Sequence, residues 1–154
     1  MLHKRYSTQK SLELIYTSEC NLDFTFIEEP IEQIIGINDL LNYRSLVRQV
    51  EASEEIINFI LRLVRSTRIH EGETPDFVYE WVDFGAGPRA THHLTLAAKA
   101  RAALHGRTEI HTEDVSAILH PVLRHRIITN RNARSTGVTV DRVIKRLLYE
   151  VSDK

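Results

Sequence analysis

The chain has 154 residues, of which 42% are hydrophobic and 27% charged, and its formal net charge is −1. These values indicate a soluble globular protein with one domain and room for a short extension. They exclude an intrachain disulfide, because Cys20 is the only cysteine, and a membrane span, because no apolar run approaches about 20 residues. The polar N-terminus lacks the apolar stretch of a signal peptide, so we expect a cytoplasmic protein.

Charge is unevenly distributed along the chain. Residues 1–83 hold 8 Lys/Arg against 15 Asp/Glu, a balance of −7, whereas residues 84–154 hold 12 against 6, a balance of +6. A basic half indicates a polyanionic partner, such as a nucleotide, a nucleic acid or the acidic face of another subunit. The competing interpretation is a solvated surface, since these charges are spread out and never form a run of five.

The first half of the chain predicts three helices separated by less regular segments. Residues 7–17 carry apolar side chains at helical spacing. Residues 21–37 mix alternation with a proline and a glycine, which indicates irregular or extended chain. Asn38 is a candidate N-cap for a second helix. Ser53, followed by two glutamates, is a clearer N-cap for a third helix with a broad apolar face.

The middle of the chain predicts a loop, an extended segment and a long helix. Residues 70–76 are polar, and residues 77–84 alternate loosely, which is typical of a short strand or extended segment. A helix over residues 88–105 ends at Gly106, a residue type favoured just after a helix.

The C-terminal part predicts two further helices. One opens near Thr112 and stops before Pro121, and residues 122–128 form a helical turn or a strand. Thr139 and Asp141 cap the last helix. The whole pattern predicts a mostly α fold, a bundle of about five helices with little or no strand.

Residues 85–90 read Gly-Ala-Gly-Pro-Arg-Ala and stand directly before the long Ala-rich helix. Pro88 suits the first helical position, which places Arg89 at the second. A cation there opposes the helix macrodipole, at a cost of about a few tenths of a kcal/mol. A bound phosphate or carboxylate is the simplest compensation. The competing interpretation is that Arg89 points to solvent or pairs with Asp83.

The motifs of ATP-hydrolysing and dinucleotide-binding domains are incomplete. The six glycines never combine with Lys-Ser/Thr in a phosphate-cradling loop, and no apolar strand ends in paired acids that could hold magnesium. We therefore expect no ATP hydrolysis by this chain alone. Residues 85–90 also match Gly-x-Gly-x-x-Ala, but residues 107–111 contain one apolar residue where a dinucleotide-binding unit needs a second strand.

Eight histidines raise the question of a metal site. His92 and His93 are adjacent, so on a helix they point about 100° apart. His120 and His125 are separated by a proline, and no His-Glu-x-x-His occurs. We expect no metal site. Cys20 also has no sequence context that would make it a nucleophile.

Two basic segments are candidates for anion or DNA contact. His125 and Arg126 belong to the densest basic cluster, Leu123–Arg126, for which a structural role at helix ends and an anion contact both stay open. The helix over residues 139–150 carries three cations that a DNA-recognition helix could use, but its intact apolar face favours a packed amphipathic helix.

Four motifs stand in register along the chain: Gly-Ala-Gly-Pro-Arg-Ala at 85–90, Ile-His-Thr-Glu-Asp-Val at 110–115, Pro-Val-Leu-Arg-His-Arg at 121–126 and Gly-Val-Thr at 137–139. In this order and spacing they resemble the C-terminal helical lid of MoxR-type AAA+ ATPases. The usual family motif has Ser where this chain has Gly87, which weakens the helix start slightly. Upstream, residues 43–50 and 56–68 look like the first helices of the lid.

The resemblance implies a domain division and a missing partner. Residues 1–37 are similar to the exit segment from an ATPase core and its linker, and residues 38–154 to the lid. The resemblance thus implies a fragment that lacks the phosphate loop and magnesium-binding acids of the core. ATP and Mg²⁺ would be used by the full-length protein, with none bound to this chain alone.

The resemblance also assigns roles to residues. Arg89 corresponds to the sensor-2 arginine, which reaches the β/γ-phosphates of ATP and couples nucleotide state to lid rotation. Gly85, Gly87 and Pro88 complete the nucleotide-binding turn. The implied partners are the AAA+ core of the same protein, a homo-oligomeric ring, usually a hexamer, and von Willebrand factor A-domain proteins. The implied role is a chaperone that activates metalloenzymes.

The alternative hypothesis is a stand-alone helical module that binds an anionic partner through its basic half. Nucleic acid is the obvious anionic candidate, although the lid resemblance makes it an unexpected partner. Steeply salt-dependent binding to duplex DNA by the isolated chain would favour this alternative.

Overall fold

The computed structural model describes residues 34–71 and 74–152. The chain divides into two compact units, Met1–Ile34 and Ile35–Lys154, and the described part belongs almost entirely to the second. The predicted helix over residues 7–17 and most of the predicted exit segment lie outside the described residues.

Seven helices and one two-stranded sheet make up the described part of the chain. In chain order they are α1 (Ile37–Gln49), α2 (Glu54–Arg65), α3 (Asp76–Trp81), β1 (Val82–Phe84), α4 (Arg89–Leu104), α5 (Thr112–Leu123), β2 (Ile128–Thr129), α6 (Arg131–Ser135) and α7 (Val140–Ser152). The fold is mostly α, as predicted. Five of the helices are long, and the two additional ones, α3 and α6, span six and five residues.

Helix α4 lies at the centre of the bundle and packs against α1, α2 and α5. Its buried side chains are Ala90, Leu94, Ala98 and Ala102, spaced four residues apart along one stripe. Since three of the four are alanines, neighbouring helices can approach its backbone closely. Helices α2 and α7 bury larger aliphatic and aromatic side chains: Ile56, Phe59, Ile60, Leu63, Val64, Val143, Ile144, Leu147 and Val151.

Two helix boundaries follow the sequence signals closely. Ser53 caps α2, and its Oγ accepts a hydrogen bond from the Ile56 N–H at 3.3 Å. Gly106 follows α4 with a φ of +69°, a left-handed conformation that glycine adopts without a steric penalty.

Two other predicted boundaries were wrong. Helix α1 begins at Ile37, not after Asn38, and the Gly36 N–H donates to Asp39 Oδ2 at 3.0 Å. Helix α5 continues through Pro121 to Leu123. A proline interrupts a helix mainly by removing one N–H donor, and here only two further residues follow it, so the loss is confined to the last turn.

The predicted strand over residues 77–84 was correct only for its last three residues. The residues before them form the short helix α3, whose buried side chains are Phe77, Val78 and Trp81. Strand β1 follows this helix directly. Strand β1 pairs antiparallel with β2. Residues 122–128 therefore comprise the last two residues of α5, a turn and the first residue of β2.

The cations of α7 contact aromatic rings of the same chain. The guanidinium of Arg146 lies 4.6 Å from the ring centre of Phe77 and 5.1 Å from that of Trp81, and that of Arg142 lies 5.8 Å from Trp81. Helix α7 is thus a packed amphipathic helix whose arginines stabilise the contact with α3. This arrangement does not favour a DNA-recognition helix.

A buried carboxylate connects α4, the following turn and α5. Asp114 is fully buried and accepts two hydrogen bonds of 2.7 Å from the guanidinium of Arg107. It also accepts from the His111 N–H at 3.0 Å and lies 3.4 Å from Nε of Arg101. The hydrogen bonds from Arg107 hold the pKa of the Asp114 carboxyl below its usual value.

No helix in residues 34–71 and 74–152 combines the length and the apolar content that a membrane crossing requires.

Candidate functional site

The Gly-Ala-Gly-Pro-Arg-Ala segment forms the turn between β1 and α4. Pro88 already has helical dihedral angles, φ −56° and ψ −29°, and Arg89 is the first residue assigned to the helix. The carbonyls of Gly87 and Pro88 accept the first hydrogen bonds, from the N–H groups of Ala90 and Thr91 at 2.9 and 3.1 Å. The predicted helix start is therefore correct to within one residue.

Gly85 is present because another backbone segment lies against it. A Cβ at this position would stand 2.1 Å from the carbonyl oxygen of Thr67 and 2.8 Å from its Oγ1. Neither distance is possible without displacing the backbone after α2. Gly87 differs, since a Cβ there would meet no atom within 4 Å. The serine typical of the family at this position would fit without any rearrangement.

Two residues after α2 hold the turn in place. The buried Ala86 N–H donates to Oγ1 of Thr67 at 2.8 Å, and Thr67 in turn donates to the Val64 carbonyl at 2.6 Å. The Ala86 carbonyl accepts from Nε of Arg68 at 2.6 Å, and Arg68 also pairs with Glu71. Both backbone polar groups of Ala86 are thus hydrogen-bonded to residues that follow α2, and these bonds anchor the turn before α4 to the end of α2.

Thr67 and Arg68 lie in no motif of the sequence that indicates a part of this site. A signal was present for Thr67, which continues the apolar stripe of Ile60 and Leu63 at helical spacing. A hydroxyl at a core-facing position requires a buried partner, but the sequence does not tell which segment provides it.

Arg89 is exposed and makes no ion pair or side-chain hydrogen bond with any residue in 34–71 or 74–152. Asp83 is exposed as well and forms no ion pair within the same ranges. No pairing of these two side chains is observed, and the exposure of Arg89 agrees with the other form of the competing interpretation, in which the side chain points to solvent. What the structure presents is a cation beside the N-terminal N–H groups of α4, two features that favour an anion.

The histidines do not gather into a metal site within the described ranges, where no group of three His, Cys, Asp or Glu side chains has a suitable arrangement. The rings of His92 and His93 lie edge to face with centres 5.8 Å apart. His120 contacts Asp141 at 2.6 Å, linking α5 to α7.

The basic cluster at the end of α5 has a structural contact. The guanidinium of Arg126 donates to the Val122 carbonyl at 2.6 Å and contacts the ring of His125. A cation bound to a carbonyl of the last helical turn is favourable, which supports the structural interpretation for Arg126. Arg124 and His125 remain exposed.

The two glycines of the turn provide a matched test of its geometry. Gly85→Ala is expected to destabilise the fold by about 2 kcal/mol or more, since its methyl group would overlap the Thr67 backbone. Gly87→Ala adds the same methyl group in open space and is expected to change the free energy of unfolding by less than about 0.5 kcal/mol. Urea denaturation of both variants measures the difference. Equal effects would show that the close approach at Gly85 is absent in solution.

Comparisons with known proteins place this geometry in a family. Residues 78–147 match the family model of the AAA lid domain. The chain is 31% identical over 121 residues to Chaperone MoxR1 of Mycobacterium tuberculosis, covering 79% of this chain and 32% of that protein. It is 49% identical over 43 residues to Protein MoxR of Paracoccus denitrificans, covering 28% and 13% of the two chains.

A solved structure agrees with the sequence comparisons. The crystal structure of a candidate ATPase from Cytophaga hutchinsonii matches with a TM-score of 0.73 at 26% identity, covering 96% of this chain and 43% of that one. The chain thus spans about a third of MoxR1 and less than half of the solved ATPase structure. The recognition suggested by the order of the motifs is confirmed at the level of the lid: residues 78–147 match the AAA lid domain, and the chain is similar to part of the MoxR-type proteins and of the solved ATPase structure.

Proposed function

We propose that this lid acts as the sensor-2 module of an ATP-hydrolysing protein, with Arg89 contacting the β/γ-phosphates of ATP held by an AAA+ core. The observation that carries the proposal is the position of Arg89. It is an exposed cation without a partner in the described residues, at the N-terminus of α4, inside the segment that matches the AAA lid model.

The chemistry of the turn fits a phosphate group. Arg89 offers a planar guanidinium that can donate two parallel hydrogen bonds to phosphate oxygens. Gly87 leaves the approach to the helix N-terminus open, and Pro88 sets the helical backbone without needing an N–H partner. Gly85 contributes by holding the turn against Thr67. In this proposal Arg89 stabilises the charge that develops on the phosphates during hydrolysis.

The remaining parts of the site are assigned to a core. ATP supplies the phosphoryl bond that is broken, and the phosphate loop and magnesium ligands come from the core, since residues 34–71 and 74–152 contain no cluster of metal ligands. We assign residues 1–37 to the exit segment from that core and residues 38–154 to the lid.

The anchoring of the turn suggests how nucleotide state reaches the rest of the lid. A phosphate that binds Arg89 also displaces the turn that contains Ala86. Ala86 is hydrogen-bonded to Thr67 and Arg68 at the end of α2, so the displacement reaches α2. Because α2 and α4 pack together, the lid would move as one body. We propose that this motion serves a ring, usually a hexamer, that works as a chaperone on metalloenzymes and von Willebrand factor A-domain proteins.

The test compares ATP turnover with and without a core. The purified chain is expected to hydrolyse no ATP, whereas the chain joined to the AAA+ core of a relative such as MoxR1 is expected to restore turnover well above that of the core alone. Phosphate release at saturating ATP and Mg²⁺ measures both. Turnover by the chain alone, or equal turnover by the core with and without this lid, would contradict the proposal.

The stand-alone binding module makes a different prediction. If that alternative holds, the isolated chain binds duplex DNA tightly, and the logarithm of its affinity falls steeply with the logarithm of salt concentration. The contacts of Arg142 and Arg146 with aromatic rings leave α7 poorly suited to such binding.

A further inference from the structure

A groove of about 570 Å³ lies between α1 and α4, and none of residues 85–90 lines it. Its cationic lining comes from both walls, with Arg44 and Arg48 on α1 and Lys99 on α4, and the ring of His92 on α4 also lines it. Val47 and Leu96 form an apolar floor between them. The two walls are joined where Nζ of Lys99 donates to the Arg48 carbonyl at 3.4 Å.

The charges of the groove are not neutralised by the described part of this chain. No carboxylate lines the groove. None of Arg44, Arg48 and Lys99 forms an ion pair with a residue in 34–71 or 74–152. Three positive charges on two facing helices create a local potential that attracts an anionic group and repels a cationic one.

The floor of the groove adds an apolar requirement. Leu96 on this floor is 43% exposed. No residue of α1 is buried. Aliphatic side chains left this open are covered when a partner supplies apolar groups of its own.

We propose that the groove docks an acidic amphipathic helix from another protein chain. Its aliphatic side chains would lie on Val47 and Leu96, and its carboxylates would pair with Arg44, Arg48 and Lys99. A helix fits because the groove lies between two packed helices, and its lining on α4 comes from residues 92, 95, 96 and 99. They extend over about 10 Å, two turns of a partner helix.

The charge and the floor together select this partner over others. A nucleic acid backbone would satisfy the cations but would place phosphates, not aliphatic groups, on Leu96. Inorganic phosphate would leave the apolar floor uncovered. The docking site is also separate from the proposed sensor-2 role, since Arg89 does not line the groove.

The test uses the full chain and a fluorescein-labelled synthetic peptide of 14 residues, with Leu and Glu at helical spacing. Fluorescence anisotropy measures its affinity and that of a control peptide with Lys for every Glu. The double variant Arg44→Glu/Lys99→Glu is expected to bind the acidic peptide at least 10-fold more weakly than the unaltered chain. The matched control Arg65→Glu/Lys145→Glu has the same charge change at exposed positions outside the groove and is expected to stay within 3-fold.

Two further variants test the apolar contribution to peptide binding and the independence of the groove from Arg89. Leu96→Gln is expected to weaken binding at least 5-fold without changing its dependence on salt. Arg89→Ala is expected to leave peptide affinity within 3-fold, so that the docking proposal and the sensor-2 proposal can fail independently. Circular dichroism checks that each variant keeps its helical content.

Several outcomes would overturn the proposal. They are equal binding of the acidic and the lysine peptide, no binding of the acidic peptide, or equal affinity of the two charge-reversal variants. ATP or a short DNA duplex could instead displace the acidic peptide at lower concentrations than unlabelled peptide does. That result would assign the groove to a phosphate ligand. Sedimentation tests whether the chain self-associates. Self-association that is lost in Arg44→Glu/Lys99→Glu and kept in the matched control would assign the groove to a second copy of the chain.

Discussion

Arg89→Ala is expected to lower the ATP turnover of the lid joined to an AAA+ core by about 100-fold or more. A donor that stabilises charge mainly in the transition state affects kcat more than ground-state binding of ATP. Arg89 is exposed and makes no ion pair or side-chain hydrogen bond with the described residues, so its removal should leave the fold intact. Steady-state phosphate release over a range of ATP concentrations separates the effect on kcat from that on KM.

The matched control for this variant is Arg65→Ala. Arg65 is also exposed and without an ion pair in the described residues, but it stands at the C-terminal end of α2. Its loss should change turnover less than 3-fold. Arg89→Lys keeps the charge and loses the planar pair of donors, so an intermediate rate is expected. Normal turnover of Arg89→Ala would show that the sensor-2 assignment is wrong.

Asp114→Asn is expected to destabilise the lid by about 2–4 kcal/mol at pH 7. The variant keeps the shape of the side chain but removes the charge that Arg107 and Arg101 share. Two guanidinium groups would then lie beside a neutral amide. Urea denaturation followed by circular dichroism measures the change in the free energy of unfolding.

The same carboxylate gives a pH dependence of known sign. Because Arg107 lowers the folded-state pKa of Asp114, the carboxylate stabilises the fold above the unfolded-state pKa of about 3.9. That contribution is lost as the pH falls below about 4 toward the folded-state pKa. The stability difference between the unaltered chain and Asp114→Asn should therefore shrink between pH 5 and pH 3.

Asp141→Asn serves as the control for both measurements. Asp141 is exposed and contacts His120 at the surface, so the change in unfolding free energy should be below about 1 kcal/mol. An Asp114→Asn variant as stable as this control, or a stability gap that widens in acid, would contradict the role assigned to the buried carboxylate.

The sequence and structure agree best where one local signal decides an element. The apolar stripe and Ser53 cap of α2, and the glycine after α4, needed no knowledge of the rest of the chain. They disagree at Pro121, where the loss of a hydrogen bond is confined to the last helical turn, and at residues 77–81, where burial against the rest of the lid decides. Pro121 is a helix breaker by local rules, yet α5 continues for two more residues past it. Residues 77–81 alternate loosely in sequence, but one side of them is buried and they form a helix.

For the candidate site, the sequence identified the position of Arg89 but not its support. Residues 85–90 pointed to a helix start with a cation because helix dipoles and proline geometry are local properties. The close approach of Gly85 to Thr67, and the hydrogen bond from Arg68 to Ala86, join segments 18 residues apart. No local pattern specifies that pairing.

The sequence by itself determined the helical class, the lid family and the cation at the start of α4, because periodicity, capping and motif order are written along the chain. Only the tertiary structure decided that Arg89 and Asp83 do not pair, that Asp114 is buried between two arginines, and that cations of α1 and α4 face one groove. These facts depend on which helices pack together. Packing is set by the shapes and charges of surfaces far apart in the chain, which local rules do not contain.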